Sequence, residues 1–237
     1  MYRISITYEN IPGAPFNWDY YMNNHLPLAV GTSMRHSGLN FCDADRPLNN
    51  DSPHTCVCMV HFDSEQSMDN FCNFFVTEHP ESKKIDMDEI NYTTIPPEMV
   101  TATCSVEAFA REASAVSHRL KLFFRLPEAQ DARAEVPETI LNNLLASNEA
   151  TAAGLLSTEL DRCRSGLVSG SVPDYWFIWA LNFSSRENAE EFAEKLGRAE
   201  NHEVLEKISG VKPGMMLSEI MPFDLALTEP YRLAGEA

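Results

Sequence analysis

The order in which strand-like and helix-like runs follow one another constrains this chain more than any single motif. Residues 2–8 alternate, with Tyr2, Ile4, Ile6 and Tyr8 on one face and Arg3, Ser5 and Thr7 on the other, the pattern of a half-buried strand. ENIPGAP then turns the chain, and Asn17 stands where it can cap a helix beginning WDYYMNNH. Pro27 disfavours a helical Leu26, so a kink or an early stop is expected there. GLNFCDA reads as a second strand and HTCVCMVHF, 54–62, as a third. SEQSMDNFCNFFVTEHP reads as a helix that starts at Ser64 or Ser67 and ends at Pro80, with Met68, Phe71, Cys72 and Phe75 in its apolar stripe. A polar, turn-rich stretch to Pro97 leads into the strand MVTATCSVEAF.

That order, β-α-β-β-α-β, then recurs. SHRLKLFFRL is a strand, VPETILNNLLASN a helix, and AGLLSTELDRCRSG and DYWFIWALNF are strands. SRENAEEFAEKLGRAE is a helix with acidic residues early and Lys195 and Arg198 late, as the helix dipole prefers, and PGMMLSEIMPF closes the series. The expected class is α+β, with two ferredoxin-like units at 1–107 and 118–237 joined near EAFAREASAVS. The halves share few identities and read as a tandem duplication with a diverged second copy. Each open sheet has one face its helices leave bare, and a bare apolar face would aggregate. The sheet of the other copy covers it most directly, giving one barrel-like core and an internal pseudo-dimer. Further pairing into a homodimer is left open.

With 237 residues, 44% of them apolar and 22% charged, the chain can bury a real core. The net charge of −17 disfavours nucleic acid and anionic membrane surfaces as partners. No run of about 18 apolar residues is available to span a membrane. MYRISITYEN lacks the apolar core of a signal peptide, which points to a cytoplasmic protein with reduced thiols. Cys56 and Cys58 share one face of a strand and read as core residues rather than as metal ligands.

Three stretches, in order along residues 1–105, carry a resemblance: PGAPFNWDYYMNNHLPL behind the opening strand, VCMVHFDS running into a helix, and DMDEINYTTIPPEMV before the last strand. They resemble the EthD family of the dimeric α/β-barrel superfamily. The second half matches only in the order of its elements, lacking both the Y-Y-x-x-x-H-x-P-L helix and the N-Y-T run. The resemblance implies a cavity between the sheet and the two helices of a unit. Other members of the superfamily use such cavities for small, mostly apolar molecules, as cofactor-free monooxygenases, polyketide cyclases or lactone isomerases, and some bind haem.

Tyr21 and His25, four residues apart, share a helix face, and histidine exchanges protons near neutral pH with little tuning. A core or capping role is the structural alternative for His25. Asp88 is placed to orient a histidine or to close the rim of a pocket, while Asn91 and Thr93 read as turn residues. Tyr92 is expected near the pocket mouth. Trp18, Met59, Phe74 and Phe75 are expected to supply apolar lining or plain core. His79, followed by Pro80, is similar to a histidine–proline pair whose histidine is the base of a polyketide cyclase in the superfamily. An exposed helix-end histidine is the alternative. His54 and His61, seven apart, are expected on opposite strand faces, with His61 in reserve as a substrate contact.

His25, His36, His61 and His79 lack the short spacing of a zinc site, so no metal is expected and haem is a minor alternative. There is no nucleophile elbow, P-loop or dinucleotide glycine pattern, so no nucleotide or flavin cofactor is expected. The expected function is a cofactor-independent cyclase, isomerase or monooxygenase. It would act on a small aromatic, polyketide-like or lactone metabolite in the N-terminal unit, with His25 as acid or base and Tyr21 and Asp88 orienting it or the substrate. The alternative is a carrier that binds a hydrophobic metabolite without turning it over.

Overall fold

Eight strands close into one antiparallel barrel with helices packed around it. The computed structural model describes residues 1–109, 116–125, 138–150, 154–168, 171–221 and 223–233. The first half supplies β1 (Tyr2–Glu9), β2 (Phe41–Pro47), β3 (His54–Phe62) and β4 (Glu98–Ala108). The second supplies β5 (His118–Arg125), β6 (Leu155–Gly166), β7 (Tyr175–Phe183) and β8 (Gly214–Met221). Strand order is β4-β1-β3-β2 in one half and β8-β5-β7-β6 in the other, and the halves meet along β2–β8 and β4–β6. Closure removes every sheet edge that an open four-stranded sheet would expose.

The helix behind β1 is compound: α1 (Trp18–Tyr20), a π-helical stretch (Tyr21–His25) and α2 (Leu26–Ser37). Asn17 starts it, its side chain accepting the Tyr20 N–H at 3.1 Å, and Gly38, at φ 70°, ends it. The helix does not stop at Pro27. Five residues with the wider i→i+5 turn precede it, the Leu26 N–H reaches the Tyr21 carbonyl, and Pro27 falls in the first turn of α2, where a missing N–H is tolerated. Then come α3 (Glu65–Val76), capped by Ser64, and α4 (Pro80–Asp88), capped by the His79 ring, which continues into a 3₁₀ turn, Glu89–Asn91. In the second half α5 (Glu138–Ser147), α6 (Arg186–Leu196) and α7 (Ala199–Ser209) cover the sheet. A 3₁₀ turn (Leu225–Thr228) and α8 (Glu229–Leu233) return to pack on α2. The stretch to Pro97 is therefore not all turn, since it holds α4, and the helix of SRENAEEFAEKLGRAE stops at Leu196, with α7 following as a separate element. Part of the expected junction, 110–115, lies outside the described residues.

β1 is not half-buried. Its apolar face, with Ile4 and Tyr8, packs under the helices, while Arg3, Ser5 and Thr7 are buried inside the barrel. There Arg3 bonds both oxygens of Asp161 at 3.1 Å and Glu159 at 2.7 Å. Arg119 reaches Asp43 at 2.7 Å and Asp45 at 3.1 Å, and Lys121 pairs with Asp45. Val57, Met59, Val100, Phe123 and Met216 fill the rest of the interior. His54 and His61 both belong to this side, against expectation. The β1–β3 register slips between Tyr8 and Glu9, so Thr55 is skipped and the parity of the strand changes. His54 accordingly meets Phe123 and Tyr175, and His61 bonds Asp43 at 2.9 Å. The six cysteines are free, and Cys56 and Cys58 are buried on the helix-facing side of β3.

Candidate functional site

Between the outer face of β1, β3 and β4 and the helices α2, α3 and α4 lies an apolar cavity. Ile6, Tyr8, Cys58, Val60 and Met99 make its floor, Leu26, Val30, Phe71, Phe75 and Ile85 its walls, and Tyr21, His25 and Glu89 bring polar groups. Its volume is about 40 Å³, room for two or three waters. The matched registers of the halves differ at this floor. Ile6 pairs with Cys58 and Tyr8 with Cys56 in the first half, where Leu122 pairs with Trp179 and Phe124 with Phe177 in the second. Of the two thiols Cys58 borders the cavity, and the matching position in the second half holds the large ring of Trp179.

The π-helical stretch carries His25 to this wall, and Asp88 meets it from the end of α4. His25 Nδ1 lies 3.0 Å from Asp88 Oδ2. The other oxygen, Oδ1, accepts the Tyr20 hydroxyl at 2.7 Å and the Asn91 amide at 2.9 Å. Burial works against ionising Asp88, but the hydrogen bonds from Tyr20, His25 and Asn91 outweigh it and hold the carboxyl below its ordinary range. An ionised Asp88 can only accept, so the proton of neutral His25 is assigned to Nδ1. Nε2 is then the acceptor nitrogen and takes a hydrogen bond at 3.3 Å from the Tyr92 hydroxyl, which is itself 2.8 Å from the Tyr8 hydroxyl. Burial lowers the pKa of His25, against the opposing pull of Asp88, so the ring is neutral near pH 7. Burial raises the phenols of Tyr8, Tyr21 and Tyr92, which stay protonated.

Tyr21 stacks on the imidazole, with ring centroids 5.5 Å apart and planes at 17°, and Trp18 and Phe16 pack behind it. Of the residues read from the sequence, His25, Tyr21, Asp88 and Tyr92 are thus brought together, Phe75 lines the cavity, and Trp18 supports Tyr21 from outside. Met59 and His61 are not at the cavity, because strand alternation from Cys58 and Val60 turns them into the barrel. His79 is also elsewhere. It caps α4 at the end remote from Asp88, next to His36 and Phe74.

Three residues were missed: Tyr8, Glu89 and Tyr20, whose hydroxyl holds Asp88. Tyr8 was read only as strand face, yet its hydroxyl ends the Tyr92 chain. Glu89 lines the cavity, and burial together with Asp86 and Asp88 pushes its carboxyl up to about 7. The crowding of three acids in DMDE was the available signal.

No protein-family model matches the chain, and no curated protein matches it by sequence. Solved structures do. A crystal structure described as an anthrone oxidase-like protein matches over 93% of this chain and 91% of its own, with a TM-score of 0.62 at 8% identity. The shared feature is the fold, an α+β architecture of the dimeric α/β-barrel type with one closed eight-stranded barrel surrounded by helices. An EthD-like protein from Ralstonia eutropha covers 42% of this chain and 87% of its own, at 20% identity and a TM-score of 0.35. A chlorite dismutase from Candidatus Nitrospira defluvii covers 98% and 95%, at 11% identity and a TM-score of 0.48. Neither of these two is close enough in shape to bear on function. No helix among the described residues is long and apolar enough to cross a membrane.

Proposed function

We propose that the chain is an enzyme that moves a proton on a small aromatic or polyketide-like ketone or lactone in the cavity of residues 1–107, without a cofactor. One observation carries this reading. A buried His25 is held by ionised Asp88 so that Nε2 keeps its lone pair beside an apolar cavity, the arrangement a general base needs. His25 takes a proton from a carbon next to a carbonyl. Asp88, with Tyr20 and Asn91, is a positioning group that fixes the ring and steadies the imidazolium as it forms. Tyr92, backed by Tyr8, donates to the developing enolate oxygen. The enolate then serves cyclisation, isomerisation or the first step of oxygenation, and the anthrone oxidase-like relative of the same fold is in keeping with an aromatic ketone.

A benzene-sized void needs roughly 150 Å³, well above the 40 Å³ of this cavity, so the substrate enters with displacement of the Phe75 ring or of α4. Met87 and Ile90 are 75% and 78% exposed on the segment that carries Asp88, and α4 buries only Ser82 and Ile85, so little core opposes its displacement. In the same reading the units 1–107 and 118–237 are diverged EthD-type copies, the second closing the barrel and carrying Trp179 and Phe177 where the first has Cys58 and Cys56.

Ligands retained through purification are identified by native mass spectrometry, and turnover of the ketones and lactones they suggest is compared in wild type and His25→Ala. Lost turnover with retained affinity is the expected result. A variant that changes affinity alone, in a protein with no turnover, replaces the enzyme with a carrier of hydrophobic metabolites.

A further inference from the structure

The helices α2 and α4 run antiparallel and are tied at both ends. At the start of α2 and the end of α4 the tie is His25–Asp88. At the other end three side chains from the two helices converge: His36 from the last turn of α2, and His79 and Glu81 from the start of α4. One ligand atom from each lies within 4.8 Å of the other two. His36 Nε2 is already 2.7 Å from Glu81 Oε2, and the two imidazoles are 4.8 Å apart, centre to centre.

The donors are oriented by their surroundings. The His36 ring stacks on Phe74 at 4.7 Å and 13°, and the His79 ring tilts against the same phenyl at 5.1 Å. Arg35 holds the other carboxylate oxygen, Glu81 Oε1, at 2.6 Å, as an outer partner does for a metal-binding carboxylate. Hydrogen bonds from Arg35 and His36 keep Glu81 ionised, its pKa lowered.

We propose that His36, His79 and Glu81 form a binding site for a divalent transition-metal ion of the zinc type, which clamps α4 onto α2. Two imidazoles and one carboxylate are a recognised zinc donor set, with water free to take the fourth position. Ligand atoms around a tetrahedral ion stand about 3.3 Å apart, given bonds near 2.0–2.1 Å. The His36–Glu81 pair therefore opens slightly and His79 closes. Binding replaces the hydrogen bond between these two, and it frees the His79 ring from the 3.2 Å cap that its Nδ1 accepts from the Glu81 N–H. The metal crosslinks the same helix pair that presents His25 and Asp88, so it stabilises the pair without touching the cavity.

The test uses the full chain, stripped with a chelator, and Zn²⁺ alone as probe. Isothermal titration should give one ion per chain with micromolar or tighter Kd and a raised melting temperature. His36→Ala and His79→Ala should each weaken binding by more than the roughly 10–100-fold that loss of an outer partner costs, while the control His202→Ala leaves it unchanged. Cobalt substitution gives a second readout that survives a destabilised variant, since imidazole ligation produces visible d–d bands in wild type that are lost in the two variants. Absence of stoichiometric binding overturns the proposal. So does equal binding by all four proteins, which would assign the ion to the acidic surface.

Discussion

Where β3 borders the cavity with Cys58, the other half carries Trp179 at the matching register, so a small thiol stands where a large ring could stand. Cys58→Leu should therefore fill the cavity in a protein that folds as well as wild type, because the added methyl groups enter space already lined by Val60, Phe71 and Met99. Binding of an aromatic probe, followed by fluorescence or calorimetry, should be lost while the melting temperature holds; unchanged binding would place the ligand elsewhere. His25 is tested through pH. Burial holds its pKa below 6.5 and Asp88 pulls the other way. The base form is needed, so kcat/KM should rise with pH through a limb below 6.5 and then level off. Asp88→Asn removes the charge that raises the pKa, so the limb should move to lower pH while the plateau falls, and His25→Ala should cost roughly 10²–10⁴-fold in kcat. A limb that moves up in Asp88→Asn would contradict the assigned pair. His25 and Tyr21 were legible from their spacing, and Asp88 from its motif. The Tyr8 hydroxyl was not, since its place depends on a contact with Tyr92 across 84 residues.

Among the elements, the strands were read to within a few residues because β-branched and aromatic runs bounded by turn residues carry their own signal. α4 was missed because PESKKIDMD has few apolar residues and buries only Ser82 and Ile85, so its helix rests on the Pro80 start and the His79 cap rather than on a stripe. The continuation of the helix through Pro27 was missed because a π-helical turn has no simple residue pattern. The return of 225–233 onto α2 is equally silent in the sequence, yet it makes a sharp prediction. A Cβ at Gly31 would lie 2.7 Å from the Thr228 carbonyl oxygen and 2.8 Å from Tyr231 Cβ. Gly31→Ala should cost about 1–3 kcal/mol or push the C-terminal elements off. Either way, amide exchange and limited proteolysis at 225–233 should rise relative to wild type. Unaltered protection there would mean that α8 does not depend on this contact.

For the molecule as a whole, alternation in β1 shows that two faces differ but not which of them meets water, and closure of the barrel makes both dry. The charges of Arg3, Arg119 and Lys121 are then balanced inside by Asp43, Asp45, Glu159 and Asp161, and the fold becomes sensitive to acid. Burial works against ionised Glu159, but Arg119 and Arg3 outweigh it and lower the pKa from 4.5 to about 2. A carboxyl depressed in the folded state binds protons more readily when unfolded, so its contribution is full above pH 4.5 and lost as pH falls toward about 2. The shift corresponds to about 3 kcal/mol at most. Glu159→Gln should lower stability at pH 7, where it removes a partner of two buried guanidiniums. The variant should then lose less than wild type on acidification, so that the two urea-unfolding free energies converge between pH 5 and pH 2. Other surface carboxyls titrate in both proteins and cancel in the difference. Curves that stay parallel over that range would mean that Glu159 is not held ionised by the arginines, and the interior would then owe its stability to its apolar residues instead.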